Sequence, residues 1–295
     1  MTMTFRSGAI VVTMLFLSSA LFAQSSGCEP ADFPCQIVFY SRVVRTDPKN
    51  IEAYYHLGFA YQRTRQPERA MEMYKIYLSS SSRDRPNLAN AYNNRGILYR
   101  QTREFRRALD DFDRAINLDP YNPRFLSNRG NVYRDLERFD EAIADYRNAL
   151  VSNENFGPAL HGLGIALGVK GETDLAISTL SRAIEHNAGP DAVYNRGVMF
   201  SRKEDYASAL NDYTRYIGFD SPFRTSLPGA YLNRGIANYY LGDVEAALAD
   251  LSQAIEADRE LLNAYRVRSM IYREQQKLAL AEADESVAAR LSRRN

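Results

Sequence analysis

Asparagine stands directly before arginine and glycine four times, at Asn94, Asn128, Asn195 and Asn233. A carboxamide offers donors and an acceptor, so a row of such side chains could pair with the peptide units of an extended ligand whatever its sequence. The alternative is that each amide bonds locally. The arginines beside them, Arg95, Arg129, Arg196 and Arg234, together with Arg268, are each followed sixteen residues later by an aspartate: Asp111, Asp145, Asp212, Asp250 and Asp284. Where leucine replaces the arginine, at Leu57 and Leu163, the aspartate is gone too, replaced by Met73 and Thr179. Matched presence and absence predicts contact. Pairing each aspartate with the following arginine would set Asp145 against Leu163 and Met73 against Arg95, whereas pairing at sixteen leaves no orphan. Five structural ion pairs are therefore expected, not a catalytic set.

Other reactive residue types are sparse. Cys28 and Cys35 enclose the six residues EPADFP, whose two prolines stiffen the loop. In an oxidising compartment this pair would form a disulfide; the rival reading makes Cys28 the lipid-bearing first residue of a bacterial lipoprotein. His56, His161 and His186 fall in different segments, so no metal site is expected. Gly162-Leu-Gly164 lacks a preceding strand and has its third glycine out of place for a dinucleotide loop. No phosphate loop, nucleophile elbow or histidine pair occurs, so neither an enzyme nor a cofactor is implied.

The elements that must position these residues repeat. In residues 89–122 small and aromatic side chains recur as Tyr92, Gly96, Tyr99, Ala108, Phe112, Ala115 and Pro120, and a shift of 34 returns Leu126, Gly130, Tyr133, Ala142, Tyr146 and Ala149. The chain resembles the tetratricopeptide repeat family. With Ala89 as position 1, position 8 reads Gly58, Gly96, Gly130, Gly164, Gly197, Gly235 and Ser269, and position 20 is alanine in all seven units, from Ala70 to Ala281. Short side chains there let two antiparallel helices approach closely.

The resemblance implies an all-α, right-handed superhelical solenoid of about seven repeats over residues 51–295. A cysteine loop and N-terminal capping helix precede it at 26–50. It also implies a concave groove lined by position 6, where family members with an asparagine ladder or a carboxylate clamp hold peptides. The clamp's lysines are missing here, so the expected peptide-binding set is Asn94, Asn128, Asn195 and Asn233 with Arg100, Arg134, Tyr194 and Tyr239. Two loops, 79–86 and 219–228, lengthen the repeat interval. The fourth repeat carries Gly162, Gly164, Gly168 and Gly171, which reads as a weakened helix serving as a hinge or a shallow seat.

The composition is that of a soluble globular chain, 45% hydrophobic and 25% charged with a net charge of +1, and it carries no basic excess for nucleic acid. Ahead of the repeats, Arg6 precedes a fifteen-residue apolar run at 9–23. That is short of the roughly 20 residues a spanning helix needs, and it reads as an export signal over residues 1–25, cut after Ala20 or Ala23. Membrane contact would then require lipid on Cys28 or an uncleaved leader. The function expected is a non-enzymatic, periplasmic adaptor for a protein or peptide partner. The alternatives are a structural assembly subunit using its convex face or edge loops, and a regulator of a cell-wall hydrolase.

Overall fold

The computed structural model describes residues 27–81, 84–220 and 226–293. The expected export signal lies outside the described residues, as do Ser82, Arg83 and residues 221–225 of the two long loops. Among the described residues there are fifteen helices and no strand. A first helix, α1 (Phe33–Thr46), precedes seven hairpins: α2 (Ile51–Arg63) with α3 (Pro67–Ser79), α4 (Arg85–Gln101) with α5 (Phe105–Leu118), α6 (Pro123–Asp135) with α7 (Phe139–Ser152), α8 (Gly157–Val169) with α9 (Thr173–Glu185), α10 (Pro190–Arg202) with α11 (Tyr206–Gly218), α12 (Leu227–Tyr240) with α13 (Val244–Ala257), and α14 (Leu262–Glu274) with α15 (Leu278–Ser292). The chain forms two compact units, one ending at Val132 and one beginning at Tyr133, inside α6.

In the first unit each helix from α1 to α5 packs on the next, and α2 also touches α4. Cys28 and Cys35 are joined by a disulfide, their Cα atoms 5.7 Å apart. Asp32 caps α1 by accepting the Cys35 N–H at 2.9 Å. Tyr40 of α1 then closes the end of the stack over Ala53 and Leu57, and a core of Ala70, Tyr74, Tyr77, Ala91 and Leu98 lies behind it. The second unit repeats the scheme from α7 to α15, with further contacts of α8 with α10, α10 with α12 and α12 with α14.

The small position 8 has a direct physical cause. A Cβ on Gly58, Gly96 or Gly197 would lie 2.9–3.0 Å from ring carbons of Tyr74, Phe112 or Tyr213, the aromatic residue sixteen positions on in the second helix of the same hairpin. Those rings are 0–1% exposed. The hairpin turns are equally uniform. Position 15 has positive φ in every one, at Arg65, Arg103, Glu137, Gly171, Glu204, Gly242 and Gln276. The next N–H reaches back five residues to a carbonyl, as Gln66 to Tyr61 at 2.9 Å and Glu172 to Leu167 at 3.0 Å. This is the Schellman ending that satisfies the last carbonyls of a helix. A side chain in this conformation costs roughly 1–2 kcal/mol, and five of the seven turns bear that cost without glycine.

The glycines of α8 play a different part from the weakened helix or shallow seat expected for them. A Cβ on Gly162 would lie 2.5 Å from the ring of Tyr146 on α7, one on Gly164 2.6 Å from Leu180 on α9, and one on Gly168 2.5 Å from the sulfur of Met199 on α10. The helix thus meets three neighbours through its glycines, and the boundary between units falls in α6, not here. Gly162→Ala would gain about 1 kcal/mol in helix propensity and lose about 1–3 kcal/mol to overpacking against Tyr146. The urea midpoint is expected to fall; a rise would restore the weak-helix reading.

Candidate interaction site

The arginine–aspartate pairs form the framework around which surface residues are set. Arg95, Arg196, Arg234 and Arg268 each clamp the aspartate of their own hairpin with two parallel bonds from Nε and Nη2, at 2.6–2.9 Å, to Asp111, Asp212, Asp250 and Asp284. The aspartate side chains are 1–8% exposed and the arginines 14–22%. Hydrogen bonding to Asp212 outweighs desolvation and holds Arg196 above its ordinary pKa, and Arg234 and Arg268 behave alike with their own partners. Arg129 and Asp145 belong to different units. Within the first unit Arg129 Nη1 donates to Asp113 at 2.7 Å.

That last contact belongs to a second regularity which sequence reading missed. The remaining guanidinium nitrogen reaches back to position 25 of the preceding hairpin: Arg129 to Asp113, Arg196 to Ser181 at 2.9 Å, Arg268 to Ser252 at 2.9 Å, and Arg234 to Thr214 at a looser 3.5 Å. The signal was present, because an oxygen-bearing side chain stands at position 25 before each of these arginines. Before Leu163, where no arginine waits, the residue is Arg147.

The asparagines also have committed partners. Asn94 is buried; its Nδ2 donates to the Tyr74 hydroxyl at 3.2 Å and its Oδ1 accepts from Asn93 at 3.1 Å. Asn128 Nδ2 donates to Asn93 Oδ1 at 2.8 Å and Tyr74 donates to Gln62 at 2.9 Å, so a five-residue hydrogen-bond chain crosses the first unit. In the second unit Asn233 Nδ2 donates to the Tyr194 hydroxyl at 3.1 Å, and Asn195 Nδ2 lies 2.9 Å from His161 Nε2. Burial, aided by repulsion from Arg134, pushes His161 down to about 4. The imidazole is therefore neutral near pH 7 and Nε2 can accept the amide proton. Asn128, Asn195 and Asn233 use their donors on position 5 of the preceding hairpin, residues Asn93, His161 and Tyr194. These three residues are half-buried, and their Oδ1 atoms accept no hydrogen bond from the described residues.

Other residues expected in the groove are partly engaged. The Tyr239 hydroxyl donates to the Glu274 carboxylate at 2.8 Å, and Tyr194 packs on Tyr213 and Tyr216. Arg134 is half-buried, 3.9 Å from Asp135, and Arg100 is half-buried on α4. On the last helix Glu285 is held by Arg273 at 2.5 and 2.7 Å. Among the described residues no group of three or more His, Cys, Asp or Glu could hold a metal ion, and no helix is long and apolar enough to cross a membrane.

Stacked helical hairpins, joined by small residues against rings and by internal ion pairs, define an α-helical repeat scaffold. Tetratricopeptide repeat models match residues 39–72, 89–122, 123–156, 161–222 and 228–261, well over half of the sequence; the chain belongs to the tetratricopeptide repeat family. Proteins of this family are in general adaptors that bind protein or peptide partners. No curated protein matches the chain. Among solved structures it is similar to one chain of the APC/C hetero-tetramer Cut9–Hcn1 (TM-score 0.67, 17% identity), matching 88% of this chain and spanning half the length of that one. It is also similar to pilF of Pseudomonas aeruginosa (TM-score 0.64, 17% identity, 76% of this chain and 98% of that one). A third, YrrB, is described as a tetratricopeptide repeat protein with an unusual peptide-binding site (TM-score 0.52, 25% identity, 67% and 98%).

Two measurements test this arrangement. Arg196→Leu alone strands the buried Asp212 and should cost about 3–5 kcal/mol. Adding Asp212→Thr, which copies the Leu163 and Thr179 of the fourth repeat, should recover at least 1 kcal/mol of that by the coupling expected of contacting residues; strict additivity would refute the pairing. For His161 the folded pKa lies below the unfolded one. The unfolded chain therefore binds an extra proton between pH 6.5 and about 4, and stability falls as pH is lowered through that window. The stability of the protein relative to its His161→Gln variant should shrink between those two pH values. A difference independent of pH would place the imidazole elsewhere.

Proposed function

We propose that this protein is a non-enzymatic adaptor exported to the bacterial cell envelope, where it holds a partner by an extended peptide segment lying along the first helices of its hairpins. The observation that carries this reading is the state of Asn195 and Asn233. Each amide is fixed in orientation by a donor bond to the preceding hairpin, on helices α10 and α12 that touch one another. Each retains a carbonyl oxygen with no partner among the described residues, so two acceptors stand ready for the N–H groups of a peptide backbone. Because the amides are locked before the ligand arrives, little rotamer entropy is lost on binding. Tyr194 and Tyr239 and the half-buried Arg134 add contacts suited to a mildly acidic peptide. Asn94 is not part of this set, since both ends of its amide are used internally.

The likeness to YrrB supports peptide recognition. Export is supported by the leader-like segment at 1–25 and by the disulfide between Cys28 and Cys35, a bond that persists in oxidising compartments. The test is a tagged pull-down from the native envelope with quantitative mass spectrometry, comparing the unaltered protein with Asn195→Ala/Asn233→Ala. Partners should fall at least fivefold with the double variant while helicity is retained. Partners held undiminished would sink the groove reading.

A further inference from the structure

One arginine breaks the rule that the other four obey. Arg129, Arg196, Arg234 and Arg268 each spend Nη1 on an oxygen at position 25 of the preceding hairpin. For Arg95 that position is Lys75, a cation that cannot accept. Among the described residues Arg95 Nη1 has no acceptor, although its side chain is the least exposed of the four that clamp an aspartate, at 14%. Desolvation opposes its charge most strongly, and the bonds to Asp111 overcome it. The guanidinium lies between two rings, 5.8 Å from Tyr92 and 5.7 Å from Tyr99. Arg114 also lies over Tyr92 at 5.4 Å and Arg107 over Tyr99 at 5.7 Å.

Three adjoining cavities with shared lining residues lie past this point, wholly within the first unit. A cavity of about 370 Å³ between α3, α4 and α5 has the half-buried Met71 and the buried Leu98 and Tyr99 in its lining, together with Pro67, Lys75 and Arg107. It shares Tyr99 and Arg107 with a smaller cavity of about 150 Å³ that contains Arg95, Arg114 and the carboxylates of Asp110 and Asp111. At its other side it shares Pro67, Leu98 and Gln101 with a cavity reaching Gln62 and Arg65. The charges nearly cancel. Arg95 is matched by Asp111 and Arg107 by Glu104, leaving Lys75, Arg114 and Arg65 against Glu68 and Asp110. Recognition there depends on directed donors beside an apolar trough, not on a basic field.

We propose that this trough docks an acidic peptide segment of a partner protein. An apolar side chain would pack on Met71 and Leu98, and a neighbouring carboxylate would accept from Arg95 Nη1 and Lys75. The chain itself displays the geometry: one hairpin further on, the carboxylate of Asp113 occupies the corresponding place and bonds Arg129 at 2.7 Å. The partner supplies between the first two hairpins what Asp113 supplies between the next two. The site uses none of Asn128, Asn195 or Asn233, so it stands or falls apart from the groove reading.

The decisive variant is Lys75→Asp, which places the missing acceptor beside Arg95 and fills the carboxylate position from within. The probe is a fluorescein-labelled Leu-Ala-Glu-Ala-Leu amide, compared by anisotropy with its Leu-Ala-Gln-Ala-Leu twin on the full chain. The glutamate peptide should bind at least tenfold more tightly than the glutamine peptide. Lys75→Asp should remove that preference while its melting temperature equals or exceeds that of the unaltered protein. Lys75→Ser, which copies the Ser252 that serves Arg268, should weaken binding with no negative charge added. The same charge change at a distance, Lys49→Asp, should leave binding within twofold. Equal binding of the two peptides, undiminished binding to Lys75→Asp, or an equal loss in Lys49→Asp overturns the proposal. So does a site that takes inorganic phosphate but neither peptide.

Discussion

The architecture depends on how closely two antiparallel helices can approach at one point of each hairpin. In five hairpins that distance is set where Gly58, Gly96, Gly164, Gly197 or Gly235 of the first helix meets an aromatic or leucine side chain of the second at 2.6–3.2 Å from where a methyl group would stand. The ring is fully buried because the glycine admits it, and the alanine at position 20 of the second helix keeps the same joint tight. Each hairpin alone would leave the other side of its rings in water, so neighbours are required and the fold propagates along the chain. The fourth repeat carries this constraint furthest, with three glycines of α8 set against three different helices.

Onto that close approach the protein fastens a layer of charge. A guanidinium bonded bidentately to a nearly buried carboxylate is costly to desolvate and costly to break, so such a pair specifies register more than it adds net stability. Here the third guanidinium nitrogen extends the specification from one hairpin to the one before it. The arginine therefore sets both the pairing of helices within a repeat and the seating of successive repeats. In the fourth repeat Leu163 and Thr179 replace the pair, and the glycine contacts of α8 provide the register instead.

A scaffold that satisfies its polar groups internally leaves few of them for partners, and those few are informative. Asparagine amides spend their donors on the preceding hairpin, which turns a flexible side chain into a fixed acceptor. Tyr239 spends its hydroxyl on Glu274, Arg202 donates to the Gly168 carbonyl at 2.6 Å, and Arg273 is held by Glu285. The groove residues are thus a lattice first and a binding surface second. Among the groups that the lattice of the described residues leaves without a partner are the amide oxygens of Asn195 and Asn233 and the outer guanidinium edge of Arg95.

The period, the small positions and the matched arginines and aspartates were legible in the sequence because each repeats, and repetition lets one segment serve as the control for another. The all-α class came with the family resemblance that this repetition carries, and the choice of pairing partner followed from the spacing, since only one register left no charge orphaned. Three things were decided by the tertiary structure alone. Whether a glycine is a weakness or a close contact depends on what stands opposite it, and Tyr146 and Met199 lie in other hairpins. Whether an asparagine keeps an acceptor for a ligand depends on which side chains reach it: Asn93 and Tyr74 use both ends of Asn94, and Tyr74 comes from the preceding hairpin, a relation across helices that no local pattern reveals. The vacancy at Arg95 appears only once Lys75 is seen in the place where Asp113, Ser181 and Ser252 sit in other repeats. A missing hydrogen bond is a property of two surfaces brought together, and the sequence describes each of them separately.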